Sequence, residues 1–522
     1  MFSSVVSIRT LAGLVIGGVL ALAVGCAVNP VTGKKEIAFV PESQELALGQ
    51  KNYAPYRQAQ GGDYAVDPAL TRYVQEVGER LAKVSDRPLP YEFRVINDST
   101  PNAWALPGGK IAINRGLLTE LQSEAELAAV LAHEIVHAAA RHSAQSIERG
   151  VFLQGALIAA GVALADSDYR DVGLLGAGIG SQLIDKKYGR DDESEADHYG
   201  ILYMVRAGYD PDAAVRLQET FVRLAEGKEA DWLAGLFATH PPSRERVEAN
   251  RRLVAELGNP GGELGEARYR EATARIRRAE PAYAAYEEAR ALASKGERDK
   301  ALARLAEAIR IEPEEAAFHA LQGQLLVAEG RERDGLRALD RAVALNPTYF
   351  RPLLMRGLAR QKAGQADSAA ADLQRSIELL PTAEAYYGLG RVAETAGRPD
   401  QAVSYFRRAA TSRSATGKLA GQRLARLDLA ANPERYLGTT LALSRDGYLV
   451  VVLANKAAVP VEGIRVTVGI ARAGGLAQAS SYRLNRRLAA GETVRLQTTI
   501  GPLTTAAARG YAARVTAARP VD

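Results

Sequence analysis

Cysteine is nearly absent from this 522-residue chain: Cys26 stands alone, which excludes an internal disulfide framework. Histidine is scarce too, with six in all. Five of them (His133, His137, His142, His198 and His240) fall between positions 133 and 240, while His319 is isolated and reads as structural. There is no dense run of Lys and Arg, and the formal net charge of +5 is spread along the chain. A mildly basic surface is therefore expected, with no nucleic acid as partner. The apolar stretch Leu11 to Gly25 has about 15 residues, against the roughly 20 needed to cross a bilayer. What remains is an ordinary globular balance, 47% hydrophobic and 24% charged. That is enough material for about three or four domains.

The N-terminus carries its own signal. Arg9 gives a short basic region before the apolar stretch, as in a secretory signal segment. Leu22-Ala23-Val24-Gly25-Cys26 resembles a bacterial lipobox, although Ala23 stands where that pattern favours Leu. The expectation is a signal peptide at 1–25 and lipidation of Cys26, with plain secretion or an uncleaved anchor as alternatives. Ala27 is not Asp, which by the usual sorting rule favours an outer membrane.

Further along, Tyr91 to Ile96 alternates as a strand should, and Lys110 to Ile113 after Pro107-Gly108-Gly109 reads as its hairpin partner. Ser123 and Glu126 have capping-box spacing and open a helix expected to run to about Glu148. Residues 151–185, rich in Gly and Ala, are expected as a helical hairpin or a mobile flap. Glycines at 296, 330, 364 and 397 then recur at intervals of 34, 34 and 33 residues. Small residues keep register at Ala301, Gly335, Ala369 and Ala402, with Leu305, Leu339, Leu373 and Phe406 between them and the next small set. This period matches tetratricopeptide repeats, in which small residues permit close helix crossing. The last 85 or so residues turn β-rich, as in Tyr448 to Leu453 and Ile464 to Ile470, and suggest a small β-sandwich. No aromatic platform or acidic cluster there points to carbohydrate or envelope polymer as a ligand.

The chemistry centres on His133-Glu134-Ile135-Val136-His137. Residues four apart share a helical face, so two imidazoles can bind one zinc with Glu134 beside the remaining position. Glu134 is then the candidate general base. A third ligand is sought in Asp191 to Asp197. Glu193 and Asp197 share a face, which suits a ligand followed by an acid that fixes a histidine tautomer. Glu195 competes for the ligand role but points to a different face. His142 and His198 read as structural or surface residues.

Several motifs, in order, resemble the M48 (Ste24/HtpX-like) zinc metallopeptidases, particularly bacterial periplasmic members with tetratricopeptide repeats. They are Asn102 to Gly109, Asn114 to Leu118, HEIVH with Ala140-Arg141-His142, ESEAD, Arg206 to Pro211, and Thr239 to Arg246. The resemblance covers roughly residues 29–250. It implies one zinc per chain on His133, His137 and Glu193, Glu134 as base, and internal peptide bonds as targets. A histidine followed six residues later by an arginine recurs in that family near the active site. His240 is accordingly expected near the zinc, either aiding the transition state or occupying the water position at rest, and Arg246 as an oxyanion stabiliser. The several membrane spans of integral-membrane relatives are missing here, which argues against prenyl-protein processing.

The expected architecture is multidomain and mainly α. A zincin-like α+β metalloprotease domain (26–275) is followed by an α-helical tetratricopeptide-repeat solenoid of about four repeats (280–412) and a small all-β sandwich (435–522). The expected activity is zinc-dependent endopeptidase action on unfolded or misassembled envelope proteins in protein quality control. The repeats recruit clients or protein partners, and a lipid anchor holds the chain to the membrane in the bacterial periplasm. The alternative is a chaperone-like or scaffold lipoprotein whose protease domain is latent or inactive.

Overall fold

The computed structural model describes residues 25–38, 40–146, 188–226 and 234–521. Residues 1–24, which include most of the stretch read as a signal peptide, and the 151–185 stretch lie outside the described residues. The chain divides into two compact units, Met1–Phe318 and His319–Asp522. Among the described residues, no helix is long and apolar enough to cross a membrane.

The first unit opens with a hairpin, β1 (Gly25–Val28) against β2 (Lys35–Ala38). Its turn is fixed by Asn29, whose side-chain oxygen accepts from the Val31 and Thr32 amides, and by Gly33 at φ 70°. Helices α1 (Glu42–Ala59) and α2 (Pro68–Ala82) follow. Asp67 caps α2 by accepting from the Ala69 and Leu70 amides. Its Leu70, Val74, Val77 and Leu81 form one buried stripe. Gly78 lets that stripe close on the sheet, because a Cβ there would lie 2.6 Å from the Phe93 ring.

The sheet has three strands in the order β3 (Glu92–Ile96), β5 (Lys110–Asn114), β4 (Ala103–Leu106). This corrects the hairpin reading: β5 pairs parallel with β3, and the antiparallel partner of β5 is β4. The Pro-Gly-Gly turn belongs to β4 and β5, with Gly108 and Gly109 at φ 77° and 78°. After α3 (Arg115–Glu120), α4 (Glu124–Ala139) lays Leu127, Ala128, Leu131, Ala132, Ile135 and Val136 into the core. Ser123 caps it through the Glu126 amide, but Glu126 reaches the Gln122 amide, not that of Ser123, so the reciprocal half of the expected box is missing.

Helix α4 also stops earlier than expected. Arg141 adopts φ 64°, and residues 142–146 begin a separate helical turn. The break is held from outside, since Arg141 donates to buried Glu45 (2.9 Å) and to the Val40 carbonyl (2.7 Å). Glu45 also receives Arg87 through both carboxylate oxygens. Helices α5 (Arg190–Arg206), α6 (Asp212–Glu226) and, beyond α7 (Ala234–Thr239), α9 (Glu266–Ala272) pack on α4, while α8 (Arg244–Glu256) packs against α5 and α6. Helices α10 (Ala274–Ser294) and α11 (Arg298–Ile311) pack as a pair.

Helix α12 (Ala316–Ala328) spans the division, and the second unit continues with helices α13 (Glu332–Leu345), α14 (Phe350–Lys362), α15 (Ala366–Leu379), α16 (Ala383–Thr395), α17 (Pro399–Ala409) and α18 (Ala415–Asp428). The periodic glycines sit between helices at φ 69° to 82°, a region costly for other residues. Where helices cross, Gly390 leaves room for Phe406, whose ring would be 2.5 Å from a Cβ. The chain ends in two three-stranded antiparallel sheets, ordered β6 (Leu437–Leu443), β7 (Leu449–Asn455), β10 (Thr493–Gln497) and β9 (Gly475–Leu484), β8 (Val461–Arg472), β11 (Tyr511–Pro520). They share one apolar core, with Leu449, Val451 and Leu453 from one sheet and Ile464, Val466, Val468 and Val515 from the other.

Candidate metal centre

Two helices build the centre. Helix α4 presents His133 and His137 one turn apart, and its buried face against the sheet fixes their direction. Helix α5 crosses closely because Ala196 and Gly200 are small; a Cβ at Gly200 would come within 3.3 Å of the His133 amide. This crossing brings Glu193 and Asp197, four residues apart, to the histidines. The turn after α7 supplies His240, and α8 supplies Arg246.

His133, His137, Glu193 and His240 each offer one donor atom, all within 4.8 Å of one another. The Nε2 atoms of His133 and His137 are 3.0 Å apart, and His240 Nδ1 lies 3.3 Å from His133 Nε2. Two nitrogens of a tetrahedral zinc site lie roughly 3.3 Å apart, given zinc–nitrogen bonds of about 2.05 Å. Glu193 Oε1 is 3.4 Å from His137 Nε2 and 3.0 Å from His240 Nδ1. Glu134 Oε2 is buried with no hydrogen-bond partner among the described residues, and its Oε1 lies 3.6 Å from His240 Nε2. Imidazole nitrogens and carboxylate oxygens buried this close together, with one Glu134 oxygen lacking a partner among the described residues, fit a cation better than an apolar core.

The surroundings charge and orient these groups. Burial pushes the Glu134 carboxyl above its ordinary range, only partly opposed by His240 and His133. Burial also drives His137 well below the usual imidazole value, which keeps it neutral as a ligand must be. Glu193 goes the other way, since His240 and His137 outweigh its burial and hold it ionised. Asp197 is buried and held low by Arg246 and His133. Its Oδ1 faces His133 Nδ1 at 3.0 Å, which turns His133 Nε2 toward the cluster.

Arg246, expected as an oxyanion stabiliser, is placed against the acids of the centre. Its Nε and Nη2 donate to both oxygens of Asp197 (2.6 and 2.7 Å), and its Nη1 donates to the Pro241 carbonyl and sits 2.8 Å from Glu193. Every nitrogen is engaged, so it holds the acids in place. Glu195 stays outside the cluster, as its helical face dictates. His198 is exposed. His142, in contrast, is buried, with Nδ1 2.8 Å from His137 Nδ1 and Nε2 3.2 Å from Glu195 Oε1. Tyr188 stacks on His137 at 3.9 Å between ring centroids and meets Ser143 through its hydroxyl. Neither contact has a sequence signal, because His142 follows the helix break and Tyr188 precedes α5.

Beside Glu134 and His133 opens a cleft lined chiefly by apolar side chains such as Val130, Met204, Leu217, Phe221 and Leu236.

Compared with known families, residues 68–254 match the model of peptidase family M48. These residues are a peptidase family M48 domain. The M48 family is one of zinc-dependent metallopeptidases, and all four clustered residues fall inside the matched span. Residues 286–350 and 354–417 match the tetratricopeptide repeat. A relative from Vibrio cholerae is 37% identical over 200 residues, covering 36% of this chain and 40% of its own. The mitochondrial metalloendopeptidase OMA1 of Schizosaccharomyces pombe is 34% identical over 230 residues, covering 44% of this chain and 66% of its own. The beta-barrel assembly-enhancing protease of Yersinia pestis is 33% identical over 190 residues, covering 35% and 39%. The chain thus spans from about two fifths to two thirds of the length of these relatives.

Proposed function

We propose that the chain is a zinc-dependent endopeptidase that cleaves internal peptide bonds of unfolded or misassembled envelope proteins. The observation that carries this reading is the convergence of His133, His137 and Glu193 on one point with the buried, unpartnered Glu134 oxygen beside it. Zinc held by those three residues supplies Lewis acidity. Glu134 takes the proton of the attacking water and returns it to the leaving amine. Its raised pKa suits both halves of that task, and the apolar cleft suits a hydrophobic side chain next to the cleaved bond. Asp197, itself clamped by Arg246, fixes His133. His240, 3.0 Å from Glu193 and 3.6 Å from Glu134, would take the water position at rest and move aside for substrate.

The finer organisation belongs to the same reading. The protease domain takes residues 26–275, about four repeats take 280–412 and recruit clients or partners, and the two C-terminal sheets form a small sandwich at 435–522. Lipidation at Cys26 holds the chain at the periplasmic face of the outer membrane. The name of the Yersinia pestis relative, a beta-barrel assembly-enhancing protease, supports envelope proteins as the substrate class.

The test uses the full chain, with metal content by mass spectrometry and cleavage of an unfolded protein. About one zinc per chain is expected, lost in His137→Ala and Glu193→Ala. Glu134→Gln is expected to retain zinc and lose at least a hundredfold in turnover, while His240→Ala gains turnover. Zinc retained in Glu193→Ala removes that residue as ligand. No metal under zinc-replete conditions leaves the chaperone-like scaffold as the better account.

A further inference from the structure

The asparagine turn near the chain's start lies far in sequence from the histidine motif, yet it ends against it. Asn29 is 2% exposed. Its Oδ1 is consumed by the Val31 and Thr32 amides of its own turn, at 2.9 and 3.2 Å. That fixes the orientation of the amide, so Nδ2 must face the other way. There its two hydrogens are shared among three acceptors, Glu36 Oε1 (3.0 Å), Glu195 Oε1 (3.3 Å) and the Ala140 carbonyl (3.4 Å). Glu195 Oε1 also accepts from His142 Nε2 at 3.2 Å. His142 Nε2 carries the proton in that bond, so its Nδ1 is the acceptor toward His137 Nδ1, 2.8 Å away. His137 is thereby held with its proton on Nδ1 and a bare Nε2, which is the form that can ligate a cation.

Each link has a chemical requirement. At 29, Asp would place a third carboxylate beside Glu195 and Glu36, and Ala would lose both ends of the connection. At 142 the side chain must accept on one side and donate on the other, as an imidazole does. The positive φ of Arg141 makes the link possible. It turns the chain so that His142, five residues after His137, meets the same imidazole. The other ligand histidine, His133, is oriented by a carboxylate directly; His137 is oriented by a carboxylate through a second imidazole.

We propose that Asn29, Glu195 and His142 form a positioning relay for His137, making the N-terminal hairpin a working part of the metal centre. This rests on the metal-centre reading above. None of the three touches the reacting atoms.

The test is zinc affinity of the full chain by competition with a chromophoric chelator, with the visible spectrum of the cobalt-substituted chain as second readout. His142→Ala, Glu195→Gln and Asn29→Ala are each expected to weaken zinc by about 10- to 100-fold and to alter the cobalt bands. Thermal melting of the metal-free chains separates this from simple loss of fold. Glu195→Gln guards against a misfolded hairpin, because it leaves the Asn29 turn bonds intact. Wild-type affinity and an unchanged cobalt spectrum in Glu195→Gln and His142→Ala overturn the relay alone. A wild-type chain that binds neither metal overturns the metal centre and the relay together. If Asn29→Ala matches wild type while the other two are weakened, the hairpin is not part of the centre and the proposal fails as stated.

Discussion

Arg246 shows how much a single side chain contributes here. Its planar fork spans both oxygens of Asp197 and reaches Glu193, with only 12% of the side chain exposed. Removing one partner of a buried ion pair costs far more than the pair itself contributes, because the other charge is left without compensation. Arg246→Ala is therefore expected to destabilise the metal-free first unit by about 3 kcal/mol. Arg246→Lys, which keeps the charge but cannot span two oxygens, is expected to recover only part of this. Urea unfolding followed at the first unit measures both, and a loss under about 1 kcal/mol in Arg246→Ala sinks the argument. The residues around this clamp also show what sequence can convey. His133 and His137 are related by the helical period alone, so their shared face was legible. Glu193 and Asp197 were legible as a pair on one face, but their meeting with the histidines depends on the small residues where α5 crosses α4. His142 was not legible, because its contact depends on a single backbone torsion at Arg141 that no spacing rule contains.

At the scale of elements, charges decide where helices begin and end. Glu124 opens α4 and is buried, yet it accepts from Tyr73, Tyr209 and Arg268. Burial pushes its carboxyl up, but the bonds from Arg268, Tyr73 and Tyr209 outweigh burial and leave it below the ordinary value. A lowered carboxyl stabilises the fold above the unfolded pKa of about 4.3, and that stabilisation is lost as pH falls through the lower folded value. Glu124→Gln is thus expected to melt lower than wild type at pH 7 and to lose less further stability between pH 5 and pH 3. Melting curves across that range check it, and parallel slopes for the two chains count against it. The elements themselves were unequally legible. The 34-residue period gave the helix pairs, because its glycines and small residues answer to local needs, a left-handed turn and a close crossing. β3 and β5 read as a hairpin because adjacency in sequence favours one; they do pair, but in parallel, because the intervening β4, every residue of it buried, takes the antiparallel place beside β5.

For the whole molecule, the centre draws on segments that are remote in sequence: residues 29 to 36, 133 to 142, 188 to 197 and 240 to 246. A cation bound to the folded chain alone stabilises it by mass action, by about 4 kcal/mol at a thousandfold excess over its dissociation constant. The stabilisation belongs to the unit that contains the ligands, Met1–Phe318, while the apolar core shared by β7 and β8 lies in His319–Asp522. Removing the metal with a chelator is therefore expected to speed hydrogen exchange at the most protected amides of α4 and α5, by up to about a thousandfold from saturating conditions. Amides of β7 and β8 are expected to keep their rates. If α4 and α5 exchange equally with and without metal, the cation does not tie these segments together, and the buried carboxylates must be held by protein groups alone. If β7 and β8 lose protection along with α4, the two units unfold as one, and the metal stabilises the chain as a whole.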